Sequence, residues 1–305
     1  MTDVRSSSPT ASDGGTPTGS TRSRRRRRSW LPLVLLALVV VAAAVLWVRG
    51  VSPGSALGRL ATVPQLARLT TSPPADGSNP IEQASTTDQV SFLRFVVGDI
   101  QDSWEQQFAA ADLTYQRTQL VLFQDVVRSA CGRARAETGP FYCPVDQDVY
   151  LDLGFFDQLA NQLGAPGDFA EAYVVAHEFG HHVQEQLGIT SQVAQLEQAD
   201  PTIANDLSVR TELQADCLAG IWGHSAYEQS LLESGDLDEA INAAAAVGDD
   251  RLQRQANGRA DPDTFTHGTS EQRVAWFIAG FQSGNPSMCD SFQRDMPTAT
   301  TSATP

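Results

Sequence analysis

The chain has 305 residues, a formal net charge of −15 and no lysine, so its 21 basic residues are all arginine. Residues 1–48 hold seven Arg against two Asp, a net of +5, which leaves −20 for the remainder. A surface that acidic repels a phosphate backbone, so nucleic acid is excluded as an expected partner.

Residues 1–29 are Ser, Thr, Gly, Pro and Arg with almost nothing apolar, and cannot build a core. The next stretch, "WLPLVLLALVVVAAAVLWV" (residues 30–48), is uncharged and long enough to span a bilayer. Arg24 to Arg28 precede it, and Trp30 and Trp47 bracket it as interfacial anchors would. A cleaved signal peptide would need small residues after the apolar run, where this chain has "LWVRG". The expectation is one retained transmembrane helix in the cell membrane, with residues 1–29 cytoplasmic and disordered and everything after Val48 outside. Residues 49–87, rich in Pro, Ser, Gly and Thr, read as a linker.

Residues 88–292 read as one domain. Apolar residues at helical spacing begin near Asp88, and strands are expected at Thr118–Val127 and Asp148–Leu153. The second alternates, and is a candidate edge strand for pairing with an extended substrate. "GFFDQLANQLG" is a short helix, and Asp168 with Glu171 is a capping-box variant opening a helix that Gly188 stops after Leu187. Helices are expected at Leu207–His224, Leu237–Val247, Asp249–Asn257 and Ser270–Gln282, before a disordered tail, 293–305. The fold class is α+β: a small N-terminal sheet, then a mostly helical part. The four cysteines show no C-x-x-C spacing. Outside the cytoplasm an even count suggests two disulfides, Cys131–Cys143 across a short segment and hence Cys217–Cys289.

Three of the five histidines fall within "VVAHEFGHHVQEQ", residues 174–186. They include His177-Glu178-x-x-His181, an H-E-x-x-H pattern that places both imidazoles on one helical face, within reach of one ion. Neutral imidazoles suit zinc, and a catalytic zinc site takes three protein ligands and leaves a position for water. Metzincins place the third ligand just downstream, but Gln184 and Leu187 occupy those positions here. Gluzincins take a Glu from a second helix, often as E-x-x-x-D, and "RTELQADCLAG" supplies Glu212 and Asp216. Glu212 is then the third ligand, with Asp216 and His224 as competitors. Asp216 is expected to orient an imidazole through its other nitrogen. His182 lies about 100° around the helix from His181, off the ligand face.

The stretches "CGRARAETGPFYCPVDQDVYLDLGFFDQL", "GAPGDFAEAYVVAHEFGHHVQEQLGI", "RTELQADCLAGIW" and "THGTSEQRVAWFIAGF" resemble, in order and spacing, the neutral zinc metallopeptidase family of bacterial membrane-anchored, gluzincin-like proteins. The resemblance implies a zincin-like fold, one Zn²⁺ per chain on His177, His181 and Glu212, and Glu178 as catalytic acid/base. Gluzincins usually add a His or Tyr donor for the oxyanion. His267 is the candidate, with His224 and Tyr173 competing. The implied function is hydrolysis of peptide or protein substrates, as an endopeptidase. Two alternatives stand beside it: a non-catalytic zinc-binding scaffold of the cell envelope, and a zinc hydrolase of a non-peptide envelope substrate.

Overall fold

The computed structural model describes residues 89–294. The expected segments 1–29, 30–48 and 49–87, and nearly all of the tail, lie outside that range. Among the described residues no helix is long and apolar enough to cross a membrane.

Helix α1 (Gln89–Ala110) comes first, with Phe92, Leu93, Val96, Ile100, Trp104 and Phe108 buried at helical spacing. Five short strands follow: β1 (Leu120–Phe123), β2 (Val126–Ser129), β3 (Gly132–Arg135), β4 (Phe141–Cys143) and β5 (Asp148–Asp152). β2 and β3 form an antiparallel hairpin, and the other three form a sheet in the order β1-β5-β4. In it β1 runs parallel to β5, Leu120 opposite Val149, and β4 antiparallel to β5, Phe141 opposite Tyr150.

Two strand expectations are corrected. Thr118–Val127 is not one strand, because Asp125, at φ 64°, turns the chain between β1 and β2. Asp tolerates this left-handed conformation better than most residues. The Asp148–Leu153 run is the central strand, not the edge. Val149, Tyr150, Leu151 and Asp152 are all buried, the pattern of a strand covered on both faces rather than of a half-exposed one. The edge strands of this sheet are β1 and β4.

The helical part comprises α2 (Phe155–Asn161), α3 (Asp168–Gln186), α4 (Ile189–Ala199), α5 (Ala204–Glu228), α6 (Asp236–Ala246), α7 (Asp249–Asn257) and α8 (Ser270–Ser283). The N-cap of α3 is Gly167, not Asp168, and the expected capping box does not form. The carboxylate of Glu239 on α6 accepts the Phe169 N–H at 3.1 Å instead, where a Cβ on residue 167 would overlap it. Gly188 ends α3 in the left-handed region as expected, but the chain restarts at once as α4, which the sequence pattern had not suggested.

Helices α5 and α8 touch backbone to backbone. A Cβ on Gly220 would overlap the Phe277 carbonyl oxygen, and one on Gly280 the Cys217 carbonyl oxygen. Both expected disulfides are formed: Cys131–Cys143 ties the tip of the β2–β3 hairpin to β4, and Cys217–Cys289 ties α5 to the 3₁₀ turn Pro286–Cys289. Thr269 caps α8 through a full capping box with Gln272.

Candidate metal centre

α3 runs through the middle of the domain, and every residue from Phe169 to Gly180 except Glu171 is buried. Gly180, between the two histidines of the motif, brings α3 against α5. A Cβ there would lie 3.0 Å from the Ala215 carbonyl oxygen. That approach sets Glu212 and Asp216, which flank Ala215 on α5, opposite the imidazoles.

His177, His181 and Glu212 each bring one ligand atom to a common point, all within 4.8 Å of one another. His177 Nε2 lies 3.1 Å from Glu212 Oε2, and His181 Nε2 lies 3.4 Å from Glu212 Oε1. Zinc–ligand bonds of about 2.0–2.1 Å in a tetrahedral shell give ligand separations of about 3.3 Å, so this donor set fits the ion. Asp216 is not in the group. Its Oδ1 accepts from His177 Nδ1 at 2.8 Å and from Tyr173 Oη at 2.5 Å. His224, at the far end of α5, donates from Nδ1 to the Phe281 carbonyl at 2.7 Å and also stands outside.

A residue that sequence reasoning missed completes the arrangement. Arg273 on α8, 4 % exposed, grips Asp216 with both ends of its fork, Nε to Oδ2 at 2.8 Å and Nη2 to Oδ1 at 2.9 Å. The signal was legible: with Trp276, Phe277 and Gly280 it lies at i, i+3, i+4 and i+7, a charge on the apolar stripe of its helix. A buried guanidinium needs a buried carboxylate. Burial raises the Asp216 carboxyl, but Arg273 and His177 outweigh it and hold Asp216 below its ordinary range. Burial likewise opposes a charge on His177, yet the Asp216 and Glu212 carboxylates prevail and raise it to about 10. Glu212 is held well below the carboxylate range against its own burial, chiefly by His181 and His177. These groups make a cation-seeking corner. Glu178, 8 % exposed, moves the other way, because burial raises its carboxyl above the usual value.

The corner opens into a cleft of about 560 Å³, lined by His177, Glu178, His181, Glu212, Arg273 and His267 on one side and by Phe141 and Tyr142 of β4 on another. His182, next to His181 but off the face that His177 and His181 share, fixes that strand. Its Nδ1 meets Tyr142 Oη at 3.0 Å and its Nε2 the Gln116 carbonyl at 2.7 Å. His267 stands at the rim with its side chain 51 % exposed. Asp249 was also missed from the sequence. It accepts the backbone N–H groups of Thr266, His267 and Gly268 through Oδ2, and its Oδ1 lies 3.3 Å from His267 Nδ1. That hydrogen bond raises the His267 pKa against the effect of partial burial.

An H-E-x-x-H helix completed by a glutamate from a second helix, beside a buried carboxylate and an open cleft, defines the zinc-metallopeptidase class of site. Comparison with known proteins agrees. The family model described as "Putative neutral zinc metallopeptidase" matches residues 1–292, and the chain belongs to that family. It is 50 % identical over 226 residues to uncharacterized protein YpfJ of Escherichia coli (strain K12), covering 71 % of this chain and 79 % of that one. It is 47 % identical over 189 residues to uncharacterized protein Rv2575 of Mycobacterium tuberculosis (strain ATCC 25618 / H37Rv), covering 58 % and 63 %. No solved structure matches the chain.

Proposed function

We propose that this protein is a membrane-anchored, extracytoplasmic zinc endopeptidase. The observation that carries the reading is Glu178, a buried carboxyl of raised pKa beside a three-donor corner that faces an open cleft. A scaffold that merely retains zinc has no use for an acid/base there. His177, His181 and Glu212 would hold the ion. When bound, zinc lowers the pKa of water and polarises the scissile carbonyl.

The chain's own residues divide the remaining work. Glu178 takes a proton from the attacking water as its oxygen bonds to the carbonyl carbon, then delivers that proton to the amine as the C–N bond breaks. His267, steadied by Asp249, donates to the developing oxyanion from the rim. The edge strand β4, flanked by Pro140 and Pro144, offers its backbone to an extended peptide lying along the cleft, which favours a peptide over a non-peptide substrate.

The test is Glu178→Gln, which removes the base at nearly constant volume. Zinc should stay bound while peptide cleavage falls at least about 100-fold. A variant that cleaves as fast as its parent would sink the enzymatic reading.

The anchor and its orientation rest on Arg24–Arg28 before the apolar run, and the two disulfides support an oxidising compartment. Protease added to intact spheroplasts should remove the domain. Survival until lysis would reverse the topology.

A further inference from the structure

The two motif histidines are held by different means. His177 leans on the charged Asp216–Arg273 pair, whereas His181 leans on two uncharged amides. Gln184, one turn further along α3, is 1 % exposed and places Oε1 2.8 Å from His181 Nδ1. Its Nε2 donates to the Thr211 carbonyl at 2.8 Å and to Gln214 Oε1 at 3.0 Å. Gln214, also 1 % exposed, donates in turn from Nε2 to the Cys289 carbonyl at 2.8 Å.

An amide can be turned end for end, but these two cannot. A backbone carbonyl only accepts, so Thr211 fixes the NH₂ end of Gln184 and Cys289 fixes that of Gln214. The oxygen of Gln184 must then face His181. In the neutral ring, the form that can meet an ion, an acceptor at Nδ1 places the proton there and leaves the Nε2 lone pair on the side of Glu212.

We propose that Gln184, backed by Gln214, is a positioning residue that sets both the ring orientation and the proton position of His181. This rests on reading His181 as a ligand through Nε2. In a buried site, an imidazole offering the wrong nitrogen would have to flip or move its proton before meeting the ion. The relay removes that step by holding the ring ready beforehand.

The test uses the full chain labelled with ¹⁵N-histidine. Its five histidines allow assignment by single substitutions. In metal-free protein, at a pH where the ¹⁵N shifts show the His181 ring neutral, it should appear as the Nδ1–H tautomer. Gln184→Met keeps the volume and removes the acceptor. It should shift His181 toward Nε2–H, leave the His177 ring resonances unchanged, and weaken zinc, measured by chelator competition, about 10–100-fold. Gln214→Leu should do less, because Thr211 still holds the Gln184 amide. An Nε2–H tautomer in the parent overturns the proposal, and that measurement stands even if the variants do not fold. A folded Gln184→Met with unchanged tautomer and zinc affinity overturns it as well. A parent with the Nδ1–H form that binds no zinc would uphold the relay and refute the ligand assignment instead.

Discussion

Among the described residues, two corners gather three potential ligand atoms within 4.8 Å: His177, His181 and Glu212 beside the middle of α3, and Asp168, Asp236 and Glu239 beside its N-terminus. By proximity alone they are equivalent, and their surroundings separate them. In the first, each imidazole has one nitrogen engaged, by Asp216 or by Gln184, so its other nitrogen is aimed at a common point. In the second, the carboxylates serve the backbone. Glu239 accepts the Phe169 N–H and Asp236 the Glu233 N–H, and burial raises the pKa of both acids. Anions at a helix N-terminus are stabilised by the helix itself. A metal centre therefore needs its donors oriented from behind, not merely assembled.

The largest expected effect breaks that contrast directly. Glu212→Ala leaves two imidazoles to hold the ion, and zinc affinity should fall on the order of 1,000-fold or more. Glu239→Ala should leave zinc stoichiometry unchanged. Equal zinc loss in both, by metal analysis, would erase the distinction.

Next comes the support behind the first corner. Arg273→Met leaves the Asp216 carboxylate buried without its bidentate partner, and should lower unfolding stability by about 3–5 kcal/mol in denaturant titrations. A loss below about 1 kcal/mol, the scale of exposed pairs, would mean Asp216 does not depend on Arg273.

The smallest effect sharpens the picture of the acidic corner. Burial, with Asp168 and Asp157 adding to it, raises Glu171 from 4.5 to about 7. Because the folded state holds this proton more tightly, its contribution to stability is present below about pH 4.5 and is lost as pH rises towards 7. Glu171→Gln should remove a decline on the order of 1 kcal/mol across that window, after discounting for partial solvent contact. Parallel stability–pH curves for parent and variant would refute it.

What the sequence revealed follows from how local each signal is. The ligand helix was readable because H-E-x-x-H spacing, apolar periodicity and Gly188 all act within one turn or two. Glu212 and Asp216 were readable because they too sit one turn apart, and the cysteine pairing because few pairings were available. Sheet order was not. Nothing local distinguishes a central strand such as β5 from an edge strand such as β4, since that depends on which neighbours arrive on each side. Asp249 was hidden for a similar reason: as the first residue of α7 it looks like any helix-start acid, and its bonds to the Thr266–Gly268 backbone are made in three dimensions. Arg273 lay between these cases, visible as a charge on an apolar stripe but without a visible partner.

The backbone contact between α5 and α8 bears on when the protein acquires its chemistry. His177, His181 and Glu212 leave the ribosome well before Gly280, which lets α8 dock, and before Cys289, which bolts α5 down. Until α8 docks, Asp216 lacks its guanidinium partner. A growing chain thus holds all three proposed ligands long before it can hold them in order. On the proposed reading, hydrolytic competence arrives only once α8 has docked.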